Sequence, residues 1–246
     1  MKASKVVRAL GPIDIKSVRR DSMMSWMVVI PIIMALILRF GIPSLSERIL
    51  TLWGFDLKPY YMLVVSYFVI MMVPLVYGVV IGFLLLDQRD DRTLTAFQVS
   101  PLSVSGYFMY RIAMPMVLSV VMSAAAFYLV GLVEMNLWLL LIAVIGAAPL
   151  APLYVLYMAD FAEDKVKGFA LVKATGPIVL GPVIAYFIKM PWQLLLGIFP
   201  PYWPVKFFWM SYQGQSGGWL YWLIGFGYLA LLVGVLLRRF NRVVYR

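Results

Sequence analysis

The 246-residue sequence has no cysteine and no histidine, and only 13% of its residues are charged. Without cysteine there can be no disulfide and no thiolate chemistry, and without histidine no imidazole base. A zinc site of the usual kind loses both its soft and its nitrogen ligands, so no metal site is expected. Acidic residues are scarce, 11 against 21 Lys and Arg, leaving a net charge of +10. Neither a Gly-x-Ser-x-Gly elbow nor a Gly-x-x-x-x-Gly-Lys-Ser/Thr phosphate loop is present, so the chain supplies no hydrolase nucleophile and cannot itself hold a nucleotide that way. The stretch Gly214-Gln215-Ser216-Gly217-Gly218 reads as a flexible connector.

What the chain has instead is apolar length. Hydrophobic residues make up 63% of it, against about 45–50% for a soluble domain, which requires an integral membrane protein. A helix needs about 20 mostly apolar residues to cross the hydrocarbon core. Six stretches satisfy this, at roughly 23–40, 60–86, 112–133, 137–159, 169–188 and 219–237. No ionisable residue falls at the centre of any of them. Arg39, Glu134 and Asp160 lie at span ends, where they are expected to reach water by snorkelling. A proton- or sodium-coupled carrier would more comfortably place a carboxylate at mid-depth. The basic start is followed by a full span with no small-residue cleavage site, so the first span is expected to stay.

The placement of cations sets orientation. With the N-terminus inside, sixteen of the 21 Lys and Arg fall on the cytoplasmic side and only Arg39, Arg48, Lys58, Lys189 and Lys206 outside, the asymmetry of a chain with both ends in the cytoplasm. The positive charge is then a signal of topology and anionic lipid rather than of nucleic-acid binding. In residues 1–22, Val6, Leu10 and Ile13 recur at helical spacing among Lys5, Arg8, Lys16, Arg19 and Arg20. This predicts an interfacial amphipathic helix, bent or ended near Pro12. It serves either as a basic anchor or as a surface touching a cytoplasmic partner.

Residues 41–59 read as a solvated connector. In the second span Pro74 predicts a kink, and Gly78 and Gly82 predict close helix contact. Pro149, Pro152, Gly176, Pro177, Gly181 and Pro182 mark kinks or breaks in the fourth and fifth spans. Residues 189–218 are proline-bounded and too short to cross, which predicts a re-entrant or interfacial outer element with Trp192, Tyr202, Trp203 and Trp209 at headgroup level. One transmembrane domain, 1–246, accounts for the whole chain.

Between the second and third spans, residues 87–110 form a cytoplasmic loop of a different character. Asp90, Asp91 and Thr93 can cap a helix start, Leu94 and Phe97 share one face, and Ser100-Pro101 ends the helix. The reading open at this point is a plain loop helix or a docking element. The order acidic pair, Thr-Leu, aromatic or aliphatic residues and Ser-Pro-Leu is followed by Tyr107, Tyr110 and Arg111 at the start of the next span. This order resembles the permease subunits of ABC-2 type transporters. The stretch Phe199-Pro200-Pro201-Tyr202-Trp203-Pro204 and the stretch Asp164-Lys165-Val166-Lys167-Gly168 resemble the drug-exporter branch, of which the fluoroquinolone-export permeases are an example. Arg92 stands where many members carry Gly.

The resemblance implies an all-α fold of six spans with both ends inside, an amphipathic connecting helix, a coupling helix in the 87–110 loop and an outer re-entrant element. It implies a non-enzymatic subunit of an ATP-driven exporter in a bacterial or archaeal cell membrane. Its partners would be a second permease chain and a separate ATPase that binds ATP and Mg, with no cofactor in this chain. Asp90, Asp91, Thr93, Leu94, Phe97 and Pro101 would contact the ATPase, with the basic N-terminal helix in support. A Met- and aromatic-rich path without central charge suits hydrophobic or amphipathic drug- or lipid-like compounds. Phe68, Met71, Met72 and Tyr186 are candidates for its wall, although such residues also line ordinary lipid-facing helices. An ATP-independent carrier or channel-like protein of six spans, or a scaffolding subunit, would share much of this pattern.

Overall fold

The computed structural model describes residues 3–90 and 104–244. It is all-helical among them, with six helices long and apolar enough to cross a membrane: Ser22–Trp53, Lys58–Arg89, Met109–Val130, Leu137–Phe161, Lys165–Phe187 and Gly218–Phe240. These are spans 1 to 6. Six crossings return the chain to the side on which it began, so both termini share one end of the bundle.

Helix α1 (Ala3–Arg20) runs unbroken through Gly11 and Pro12. The helix does not end at Pro12 because Pro12 and Arg8 lie on the exposed face, where the carbonyl that loses its partner is open to solvent. The buried face is also rotated from the expected one: Leu10 and Asp14 are buried, with Val18 packed beside them, whereas Ile13 is half exposed. Asp21 links α1 to α2 (Ser22–Trp53) and caps it, accepting from the Met24 N–H at 3.1 Å. At 32 residues α2 is about 48 Å long, well beyond a ~30 Å hydrocarbon core. Residues 41–53, expected as a connector, instead continue this helix past Pro43 to a left-handed Gly54 cap.

Span 2 is built from a 3₁₀ turn (Lys58–Tyr60), α3 (Tyr61–Val65), a π turn (Ser66–Met72) and α4 (Val73–Asp90). Pro74 cannot donate to the carbonyl of Ile70, and the wide turn just before it absorbs the mismatch, with the Val73 N–H reaching back to Phe68 O. Span 3 is the part of α5 (Val104–Val130) from Met109 to its C-terminal end. Span 4 is broken into α6 (Leu137–Ala147) and α7 (Leu150–Phe161), because Pro149 and Pro152 remove two consecutive-turn donors. Span 5 is broken at Thr175 into α8 (Lys165–Ala174) and α9 (Gly176–Phe187), with the Thr175 hydroxyl donating to Val172 O at 2.6 Å. A 3₁₀ turn (Trp192–Ile198) and α10 (Tyr202–Tyr212) precede α11 (Gly218–Val244).

Span 2 is almost wholly enclosed and span 4 largely so, while spans 1 and 6 bury little of their surface. The enclosed pair meets closely. A Cβ on Gly78 would lie 2.5 Å from the carbonyl oxygen of Ala151, and one on Gly82 would lie 2.7 Å from the Met158 sulfur, so α4 and α7 touch backbone to backbone. Helix α10 packs against α6 and α11. Tyr202 and Trp209, expected at headgroup level, are buried; Trp209 donates to the Ser66 hydroxyl at 2.8 Å and Trp203 to Gly197 O at 2.7 Å. Trp192 alone of these four is broadly exposed.

Candidate functional site

Three helices meet in a buried polar cluster at the end of the bundle that carries the termini. The Arg111 guanidinium makes a two-pronged contact with Asp14, at 2.9 and 3.1 Å, and donates to Gln88 Oε1 at 2.7 Å. Tyr110 donates to Asp14 at 2.9 Å and Tyr107 to Gln88 at 2.8 Å, so every acceptor faces a donor. Arg111 and Asp14 are 3% and 1% exposed, which makes this a desolvated ion pair. Burial pushes the Tyr107 phenol above its ordinary range, and it stays a neutral donor. The geometry matters more than the charge: Gln88 sits two residues before the end of α4, and Tyr107 to Arg111 open α5. The ends of spans 2 and 3 are therefore tied to each other through Gln88, and the α5 end is tied to α1 through the Asp14 carboxylate.

A second clamp lies nearby. Lys165, at the start of α8, reaches Asp21 at 2.7 Å and Asp87 at 2.8 Å, tying together the same ends of spans 1, 2 and 5. All three groups are about a quarter to a third exposed, so each pair is worth at most about 1 kcal/mol. The Lys165 hydrogen bond holds the Asp21 carboxyl below its ordinary value. A lowered carboxyl favours the folded form above the ordinary carboxylate range, and the gain fades as pH falls through the folded value. Lys165→Met is therefore expected to lower the melting temperature slightly at neutral pH and to match wild type below the carboxylate range. A melting series from pH 7 to pH 3 checks this, and a constant gap across it would remove the ion pair as the cause.

Spans 1, 2 and 5 also line an apolar groove of about 520 Å³, walled by Ile30, Pro31, Met34 and Leu38, by residues of span 2 from Leu63 to Val76, and by Leu180 and Val183. No charged side chain lines it. The π turn supplies Tyr67, Phe68 and Met72, three large side chains facing one opening. That turn is fixed from behind by Trp209 on Ser66 and by the Ser123 hydroxyl on Val69 O at 2.9 Å.

The expected path residues thus divide. Phe68 and Met72 line the groove; Met71 is buried on the far side of the turn, and Tyr186 sits near the Lys58–Tyr60 turn, donating to Pro59 O at 2.9 Å. Of the expected coupling residues, Asp90 is the last residue of α4, and Asp91, Thr93, Leu94, Phe97 and Pro101 lie outside the described residues. Asp160 departs from expectation. It does not reach water, since both carboxylate oxygens are buried without a hydrogen-bond donor among the described residues. Arg39 instead follows the span-end logic, donating to Tyr128 O and Leu129 O at the end of α5.

Sequence reasoning missed Asp14, Gln88, Asp21 and Asp87. A signal for the first was present: Asp14 is a lone carboxylate in a basic helix, one turn after Leu10 on the buried face. Among the described residues no three Asp or Glu side chains group where they could hold a metal ion.

No solved structure matches this chain. The chain is 34% identical over 240 residues to the fluoroquinolones export permease protein Rv2686c of Mycobacterium tuberculosis strain H37Rv, covering 96% of this chain and 94% of that protein. It matches the fluoroquinolones export permease protein MT2760 of strain CDC 1551 to the same degree. A family model described as "Fluoroquinolones export permease protein Rv2686c-like" matches residues 14–237, from the buried Asp14 to the last turns of α11. The chain therefore belongs to the Rv2686c-like family of fluoroquinolones export permease proteins.

Proposed function

We propose that the chain is the membrane subunit of an ATP-driven ABC-2 type exporter in a bacterial cell membrane, with both termini in the cytoplasm. Two permease chains act over a separate ATPase pair that binds ATP and Mg. The substrate is a hydrophobic or amphipathic, drug-like compound carried outward from the cytoplasm or inner leaflet. The observation that carries this reading is the rooting of both arms of the 91–103 loop in the cluster of Asp14, Gln88 and Arg111. With the flanking ends of spans 2 and 3 tied together and to α1, a push delivered there from below passes to spans 2 and 3 and to α1 together. The π turn lies within span 2 and is held from span 3 by Ser123, and it forms one wall of the groove, so displacement of these spans and groove shape are mechanically connected.

A groove without charge binds an aromatic substrate by area and ring contact and tolerates varied shapes. Phe68→Ala is expected to weaken apparent substrate affinity roughly threefold to tenfold, the worth of one aromatic contact. Because Phe68 is also buried among core residues, its truncation leaves a cavity, and accumulation is compared at matched levels of folded protein. Drug accumulation in cells bearing each variant measures it, and an unchanged accumulation curve would take Phe68 out of the path.

The partner is tested by recovering the protein from native membranes in mild detergent, as wild type and as Asp91→Lys with Phe97→Ala. A P-loop ATPase recovered with wild type and lost with the variant supports both the exporter and the coupling segment. Absence of any ATPase from folded protein of both kinds moves the reading to an ATP-independent carrier.

A further inference from the structure

The outward face of α1 is built for an anionic group. Pro12, Ile15, Lys16, Arg19 and Arg20 fall at i, i+3, i+4, i+7 and i+8, one continuous face, and surround a shallow cleft of about 570 Å³. Lys16, Arg19 and Arg20 are exposed, and none has a carboxylate partner among the described residues. The two carboxylates close by in sequence are engaged elsewhere: Asp14 turns inward to Arg111, and Asp21 caps α2 and holds Lys165. Three cations thus converge with no counter-charge among the described residues.

Their surroundings decide which anion they suit. One residue separates Arg20 from the start of span 1, which places the cations at the level where that helix enters the membrane. Ile13 and Ile15 are exposed beside them, and Trp26, one turn into the span, is 63% exposed at the depth where indole rings anchor. From Trp26 the exposed surface continues without a break along Val29, Ile30 and Ile33. Basic groups running directly into an apolar face match a phosphate joined to acyl chains. An acidic protein surface would leave the apolar half uncovered.

We propose that this face of α1 is a binding site for the phosphate headgroup of an anionic phospholipid in the leaflet facing the termini, with its acyl chains along Ile15 and span 1. The site requires only that the chain is embedded in a membrane and does not depend on the export reading. Its consequence is mechanical. The lipid holds the outer face of the helix whose inner face, through Asp14, anchors the loop between spans 2 and 3.

The test uses full-length protein in neutral detergent, titrated with dioleoyl phosphatidylglycerol or dioleoyl phosphatidylcholine and read by native mass spectrometry and melting temperature. Wild type is expected to prefer phosphatidylglycerol. Lys16→Gln with Arg19→Gln and Arg20→Gln is expected to lose roughly a hundredfold of that affinity, about fivefold per charge, with phosphatidylcholine binding unaltered. Arg48→Gln with Lys58→Gln and Lys189→Gln removes the same charge from other parts of the chain and keeps the preference. Should the first triple variant fail to fold, its three single variants are each expected to lose about fivefold, and no loss in any of them overturns the site. It is also overturned by equal affinity of wild type for the two lipids, or by inorganic phosphate displacing phosphatidylglycerol at equal concentration. An unchanged lipid preference in the triple variant, with loss of a co-purifying soluble protein, assigns the face to that partner and likewise overturns it.

Discussion

Arg111→Met is expected to destabilise the protein by about 3–5 kcal/mol, because it strands the Asp14 carboxylate in a site with almost no access to water. The remaining donor, Tyr110, satisfies one oxygen and leaves the charge unneutralised. Asp14→Leu is expected to cost a similar amount by stranding the guanidinium, for which Gln88 is a neutral acceptor only. The informative variant is the pair together. Asp14→Leu with Arg111→Met removes both charges and both desolvation costs, and buried pairs replaced by apolar residues of similar volume are often neutral or better. Its melting temperature in detergent is therefore expected to return most of the way to wild type. A double variant as unstable as either single one would mean that packing at these positions matters and the charge pair does not. If the double variant is stable yet fails in transport, the pair is kept for the position it gives α1 and the loop, a role that stability alone does not reveal.

The sequence made the six spans legible because apolar length is a direct consequence of the solvent, and the close contact of spans 2 and 4 was visible in Gly78 and Gly82. Local punctuation was less reliable. Pro12 did not end α1, since a proline on a solvent face leaves its lost hydrogen bond to water, whereas Pro149 and Pro152, deep in the bundle, did break span 4. Pro74 signalled an irregularity without saying that it would take the form of a seven-residue π turn just before it, because that choice depends on Trp209 and Ser123 reaching in from other helices. The polar cluster shows the same limit. Asp14, Gln88 and Arg111 are spread over nearly a hundred residues, and only the packing of α1 against α4 and α5 brings them within 3.1 Å. Tyr202 and Trp209 resembled interfacial aromatics in composition, and their burial follows from α10 turning inward, which no periodicity in an 11-residue helix announces.

Gly78→Ala tests whether spans 2 and 4 move as one body. The added methyl would sit 2.5 Å from the Ala151 carbonyl oxygen and 3.0 Å from the Tyr154 Cβ, and the first of these is backbone, which cannot swing aside as a flexible side chain can. Relief requires α4 and α7 to separate along a face that buries much of both helices. Overpacking of this kind costs about 1–3 kcal/mol where side chains can adjust, and the upper end or more is expected here. For Gly82→Ala the nearest atom is the Met158 sulfur, at 2.7 Å in a flexible thioether, and the change is expected to cost less. Gly227→Ala on α11 has nothing within 4 Å and serves as the neutral control, with a gain of up to about 1 kcal/mol from helix propensity. Melting temperatures in the order Gly227→Ala, Gly82→Ala, Gly78→Ala, from highest to lowest, are the expected result, and equal values for all three would deny the tight contact. Because α4 ends at the loop proposed to meet the ATPase, a partly loosened α4–α7 contact should also dissipate the push before it reaches the groove. In the Gly82→Ala protein, which still folds, ATP hydrolysis is then expected to continue while drug export per ATP falls. Equal losses in both activities would place the defect in assembly with the ATPase instead.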